Sequence, residues 1–160
     1  MLGVDSSLKG TLRIEKFAEF NGITVSSIYD VAQLSKIMDG YGIVNSIDGY
    51  DEISLTGDFK VTTNTYERIF KPSDLGLRTA QPEELVAGAT EDEAAQIFDN
   101  VLQNKALPAQ KDIVLANAAF GIQVYEQGKK TIEECIDIAR QSIESGKAWK
   151  TFLKFAELNS

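Results

Sequence analysis

The stretch Ile113-Val114-Leu115-Ala116-Asn117-Ala118-Ala119-Phe120 limits this chain more than any other. Pro108 stands just before it, and proline suits a helix's first turn because its absent N–H would have no partner there. The spacing predicts a helix over 109–126. A helix apolar nearly all round must be enclosed by other elements, so the remaining sequence has to supply neighbours for every side of it.

Three further helices are predicted around it. Thr90-Glu91-Asp92-Glu93 and Thr131-Ile132-Glu133-Glu134 are capping boxes, in which hydroxyl and carboxylate satisfy free amides reciprocally. The first opens a helix with Ala94, Ile97, Phe98, Val101 and Leu102 on one face. The second opens a helix that turns Ile132, Cys135, Ile136, Ala139 and Ile143 inward. Gly146 breaks or bends it, and Ala148–Leu158 forms the last helix.

The first half reads differently. Ser26 and Ser27 can cap a helix carrying Ile28, Val31, Leu34, Ile37 and Met38, which Asp39-Gly40 ends. Strands are predicted at Tyr41–Ile47 and Ile53–Thr56, with a turn at Asp48-Gly49. A hairpin follows around Asn64, from Phe59–Thr63 to Tyr66–Lys71, and Pro72–Gly76 turns away from the sheet. A helix followed by a strand at 28–47 reads as the tail of an alternating pattern, and alternation implies a parallel sheet. The expected fold is therefore α/β: a partial, mostly parallel sheet with a hairpin, flanked by C-terminal helices. Residues 1–25, with one poor helix and a short strand at Ile23–Val25, form an unassigned segment ahead of a domain at 26–160. A sheet with so few strands would have a raw edge, which proteins normally cover. That suggests a part rather than a whole.

Composition narrows the chemistry. The net charge of −8 opposes nucleic-acid binding, which needs a basic footprint. With no histidine, the chain cannot build a His-based triad, a His–Cys pair or a His-ligated zinc site. The single cysteine, Cys135, forms no internal disulfide and reads as a core residue. Trp149 reads as packing. No apolar run is long enough to span a membrane, and the start lacks a signal peptide's basic and apolar regions, so a cytoplasmic location is expected.

One segment stands apart: Asp48-Gly49-Tyr50-Asp51-Glu52-Ile53-Ser54-Leu55-Thr56-Gly57. It places three carboxylates in five residues, at the C-terminal end of a strand, where open α/β sheets bind ligands. In a loop, Asp51 and Glu52 can converge, and hard oxygen donors beside a phosphate are what magnesium prefers. The plain alternative is a solvated acidic turn. Lys60 could approach a phosphate or simply be solvated beside the hairpin. Thr56-Gly57 could be a phosphate nest or an ordinary turn. Asn117 reads as bonding backbone rather than a ligand.

This segment resembles the Asp-Gly-Leu/Tyr-Asp-Glu-Ile-Ser motif of the anthranilate phosphoribosyltransferase family. Lys60-Val61 follows at that family's spacing. Lys71-Pro72-Ser73-Asp74-Leu75-Gly76-Leu77, Asp112–Ala119 and Ser145-Gly146-Lys147-Ala148 resemble later family stretches in order, so that the likeness covers residues 26–158. The resemblance implies phosphoribosyl transfer from phosphoribosyl pyrophosphate to anthranilate in tryptophan biosynthesis. It also implies Mg2+ as cofactor, with Asp51 and Glu52 as the metal-binding pair.

The departures are specific. The 160 residues contain no Gly-Thr-Gly-Gly-Asp pyrophosphate loop and no Lys-His-Gly segment. The resemblance thus implies a C-terminal portion that is inactive alone, with an N-terminal portion as a possible partner chain. Two other readings are a folded remnant that catalyses nothing and part of a pyrimidine nucleoside phosphorylase-like enzyme, against which the Asp-Gly-Tyr-Asp-Glu segment speaks.

Overall fold

The computed structural model describes residues 40–50 and 52–159. The helix expected at 28–38 and the elements expected within residues 1–25 lie outside the described residues.

Three strands, β1 (Gly42–Ser46), β2 (Phe59–Thr63) and β3 (Glu67–Phe70), form a sheet in that order. Both pairings are antiparallel, with Val44 opposite Val61 and Val61 opposite Arg68. The expected mostly parallel sheet is thus not borne out among the described residues. A parallel pair needs a long crossover, whereas the loop 47–58 and the tight turn after Thr63 each carry the chain straight back. The strand expected at Ile53–Thr56 is also absent. Leu55 has a φ of 59°, a left-handed value that turns the chain out of an extended path. The segment's backbone bonds elsewhere: the Ala80 N–H donates to the Leu55 carbonyl at 2.8 Å.

Short 3-10 turns at Pro72–Leu75 and Pro82–Leu85 lead to four helices: α1 (Glu91–Leu102), α2 (Pro108–Tyr125), α3 (Ile132–Glu144) and α4 (Lys147–Leu158). Residues 111–120 of α2 include no exposed position, as the apolar run requires. One side of α2 gives Ala116, Ala119 and Phe120 to the main core, with Phe59, Val61 and Phe70 from the sheet and Cys135 and Ile136 from α3. Phe59, Phe70 and Phe120 form an aromatic cluster; Phe59 and Phe70 stack at 5.7 Å, and Phe120 meets Phe70 edge-on at 5.3 Å. The Tyr66 hydroxyl donates to Gln123 Oε1 at 2.7 Å and ties the hairpin to α2. Leu115, on the other side of α2, packs with Val101 of α1 and with Ala139 and Ile143 of α3.

The box at Thr131 is reciprocal: the Glu134 N–H donates to Thr131 Oγ1, and the Thr131 N–H donates to Glu134 Oε2. At Thr90 the hydroxyl caps Glu93 as expected, but Glu93 reaches the Ala89 N–H instead. Gly88, with a φ of 88°, packs directly on Glu93 at that turn. The stripe expected on α1 is only partly covered. Val101 is buried, while Phe98 is 48% exposed and touches the Phe152 ring at 5.0 Å. Trp149 packs on the same Phe152, 5.7 Å away. No helix among the described residues is long and apolar enough to cross a membrane.

Candidate metal-binding loop

The acidic segment lies on the loop between β1 and β2. Its neck is closed where the Ile47 N–H donates to the Asp58 carbonyl at 3.0 Å, and its first turn where the Gly49 N–H donates to the Ser46 carbonyl at 3.2 Å. Ile53 and Leu55 point into the main core and are wholly buried. Two apolar plugs, two residues apart, seat the loop while Gly49, Tyr50 and Glu52 stay at the surface.

Of the three carboxylates, Asp48 and Glu52 have different fates. Asp48 turns toward the end of its own loop. Its Oδ2 accepts from the Ser54 hydroxyl at 2.9 Å and from the Thr56 hydroxyl. The Ser54 and Thr56 hydroxyls also lie 2.8 Å apart, and the Thr56 N–H donates to Ser54 Oγ. Asp48 therefore acts as a latch. Gly57 belongs to it as well, since an added Cβ would stand 3.3 Å from Asp48 Oδ2. Thr56-Gly57, which the sequence leaves as a nest or an ordinary turn, gives its Thr56 hydroxyl to Asp48 and its Thr56 N–H to Ser54. Glu52 is exposed, and its backbone is pinned where the Ser46 hydroxyl donates to its carbonyl at 2.7 Å. Asp51 lies outside the described residues.

Asn117 of α2 reaches this loop. Its Oδ1 accepts from the Ile53 N–H at 3.0 Å, and its Nδ2 donates to the carbonyls of Ile53 and Ile113, each at 2.9 Å. The expectation that Asn117 bonds backbone holds, but one of its partners is 64 residues away, on the acidic loop. The only signal in the sequence is an amide on an otherwise apolar helix face.

Lys60 pairs with Glu67 at 2.7 Å across the outer face of the sheet, and the Glu67 carboxyl is held below its usual range by that bond first. A concavity of about 160 Å3 on this face is lined by Ile43, Asn45, Lys60 and Thr62, none of them from the acidic loop. Cys135 is buried in the core, and burial pushes its thiol's pKa up.

Does the loop suit a divalent cation? Among the described residues no group of three or more acidic, cysteine or histidine side chains is gathered to hold a metal. Glu52 nevertheless offers a hard oxygen donor at the surface on a backbone held in place. That fits a cation whose remaining positions go to a neighbouring carboxylate, a phosphate and water, rather than one caged by protein.

Residues 26–149 match the model of the glycosyl transferase family, a/b domain, and the chain belongs to that family. It is 59% identical over 125 residues to the anthranilate phosphoribosyltransferase of Phocaeicola vulgatus, covering 78% of this chain and 38% of that protein. It is 52% identical over 120 residues to the enzyme of the same name from Bacteroides thetaiotaomicron, covering 75% and 36%. The chain thus spans little more than a third of these relatives' length. Among solved structures, the anthranilate phosphoribosyltransferase of Thermus thermophilus shares the fold, with a TM-score of 0.69 at 24% identity over 80% of this chain and 38% of that one. That of Saccharomyces cerevisiae, in complex with PRPP and Mg, has a TM-score of 0.64 at 22% identity, covering 89% and 48%.

Proposed function

We propose that this chain supplies the magnesium-binding loop and the surrounding α/β core of an anthranilate phosphoribosyltransferase, which moves phosphoribosyl from phosphoribosyl pyrophosphate to anthranilate. The observation that carries the reading is the fixed, exposed Glu52 on a loop latched by Asp48, in a chain so similar to enzymes of that name.

Asp51 and Glu52 would hold Mg2+. Bound there, the ion would neutralise charge growing on the departing pyrophosphate. The loop's own residues do the rest by positioning. Ser54 and Thr56 engage the Asp48 carboxylate within the loop, while the Glu52 side chain stays exposed. Ile53 and Leu55 seat the loop in the core, so Glu52 is presented from a rigid base. Lys60 is paired with Glu67. Attraction for pyrophosphate must therefore come from the cation and from residues of the longer enzyme, which suits a chain of net charge −8.

The test is direct. The 160-residue chain, given anthranilate, phosphoribosyl pyrophosphate and Mg2+, is expected not to deplete anthranilate fluorescence above background. Adding a polypeptide that covers the rest of the relatives' length is expected to produce turnover. In that combined system Asp51→Asn with Glu52→Gln should abolish magnesium-dependent turnover. Turnover by the chain alone, or unchanged turnover in the double variant, would overturn the reading.

A further inference from the structure

The peptide between Glu52 and Ile53 is held on both sides. Its carbonyl accepts from the Ser46 hydroxyl at 2.7 Å, and its N–H donates to Asn117 Oδ1 at 3.0 Å. Fixing both polar atoms of one peptide fixes its plane, and with it the Glu52 Cα from which the side chain departs. Asn117 then closes a second bond, to the carbonyl of Ile53 itself. A side-chain amide thus stands in for a neighbouring strand, offering acceptor and donor to one residue as a ladder partner would.

We propose that Asn117 is the positioning residue of the metal loop: through the Glu52–Ile53 peptide it sets Glu52 for the cation. This rests on the reading of Glu52 as a ligand. Three observations support it. Asn117 uses both amide hydrogens and its oxygen, so its whole hydrogen-bonding fork is committed, with its third bond tying it to Ile113 on its own helix. Its helix has no exposed position from 111 to 120, and a ligand set on a rigid support is placed more accurately than one on a free loop. Asparagine has no helix-forming advantage at an interior position, and an apolar residue would pack there without the need for partners.

The experiment uses the 15N-labelled 160-residue chain, with Mn2+ as the probe. Paramagnetic broadening is read at the amides of Gly49, Ile53 and Gly57, and hydrogen exchange at Ile53 is read against Ala139 of α3, which corrects for overall stability. In the unaltered chain, broadening should centre on the loop and be lost in Glu52→Gln. Asn117→Leu should speed Ile53 exchange roughly tenfold relative to Ala139, and should need several-fold more Mn2+ for equal broadening. Asn117→Asp, which keeps the acceptor for the Ile53 N–H, should keep Ile53 protected and most of the Mn2+ response. It also provides the measurement if the leucine variant does not fold. Broadening that ignores Glu52→Gln would sink the metal reading itself. Broadening lost in Glu52→Gln but unchanged in Asn117→Leu would leave that reading standing and overturn the role of Asn117. So would equal Ile53 exchange in Asn117→Leu and the unaltered chain, or exchange as fast in Asn117→Asp as in Asn117→Leu.

Discussion

Glu84 gathers three donors on one carboxylate: both terminal nitrogens of Arg78, at 2.9 and 2.6 Å, and the N–H of Gln81 at 2.9 Å. The Arg78 bonds first, then the Gln81 amide, lower its pKa from 4.5 to about 2. A carboxyl whose folded pKa is depressed adds stability above its unfolded pKa and loses it as the acid protonates in the fold. The unaltered chain should therefore melt above Glu84→Gln at pH 7, and the gap should close as pH falls from 4.5 through about 2. Thermal melts of both across that range check it. At Gly88 an added Cβ would lie 2.7 Å from the Glu93 Cβ and 2.9 Å from the Ala94 nitrogen, at a φ of 88°. Gly88→Ala should cost about 2 kcal/mol in urea unfolding, the scale of a forced left-handed residue with a clash. Cys135 and Asn117 were legible in outline, because each sits at a definite place on an apolar helical face. The Asp48 latch was not. Asp48, Asp51 and Glu52 look equivalent in a string of letters, and only the curl of the loop brings the hydroxyls of Ser54 and Thr56 back to one of them.

The helices were readable because their signals are local: a cap, a period of 3.6 and a glycine stop act within a few residues. In the sheet, the first strand and the hairpin around Asn64 were readable too, but the direction in which β1 pairs was not, since it depends on how the connections run. Ile53–Thr56 has a strand's composition, yet its bonds go to a helix side chain and to Ala80. The two capping sites also differ in what they support. The helix α3 buries Cys135, Ile136, Ala139 and Ile143, whereas α1 buries only Val101. Thr131→Ala should therefore lower global stability by about 1 kcal/mol, seen as a lower melting temperature. Thr90→Ala should chiefly speed amide exchange in the first turn of α1 and leave the melting temperature nearly unchanged.

Across the whole molecule, α2 joins two groups of buried side chains, one shared with the sheet and one with α1 and α3, and Ile122 touches both. The described region should unfold as one unit for that reason. Leu115→Ala, made on the helical side where the residue is fully buried, should cost about 3 kcal/mol. It should lower exchange protection of the β2 amides by the same increment as those of α3. Unequal losses would mean that sheet and helices open separately. The long reach of the Asn117 amide has a further consequence, one of timing. Ile53 leaves the ribosome 64 residues ahead of the side chain that clasps it. Pairing over such a separation must wait for loop closure. The acidic loop is thus translated early and shaped late. A nascent chain stalled before α2 would hold every carboxylate of the site and still have no site.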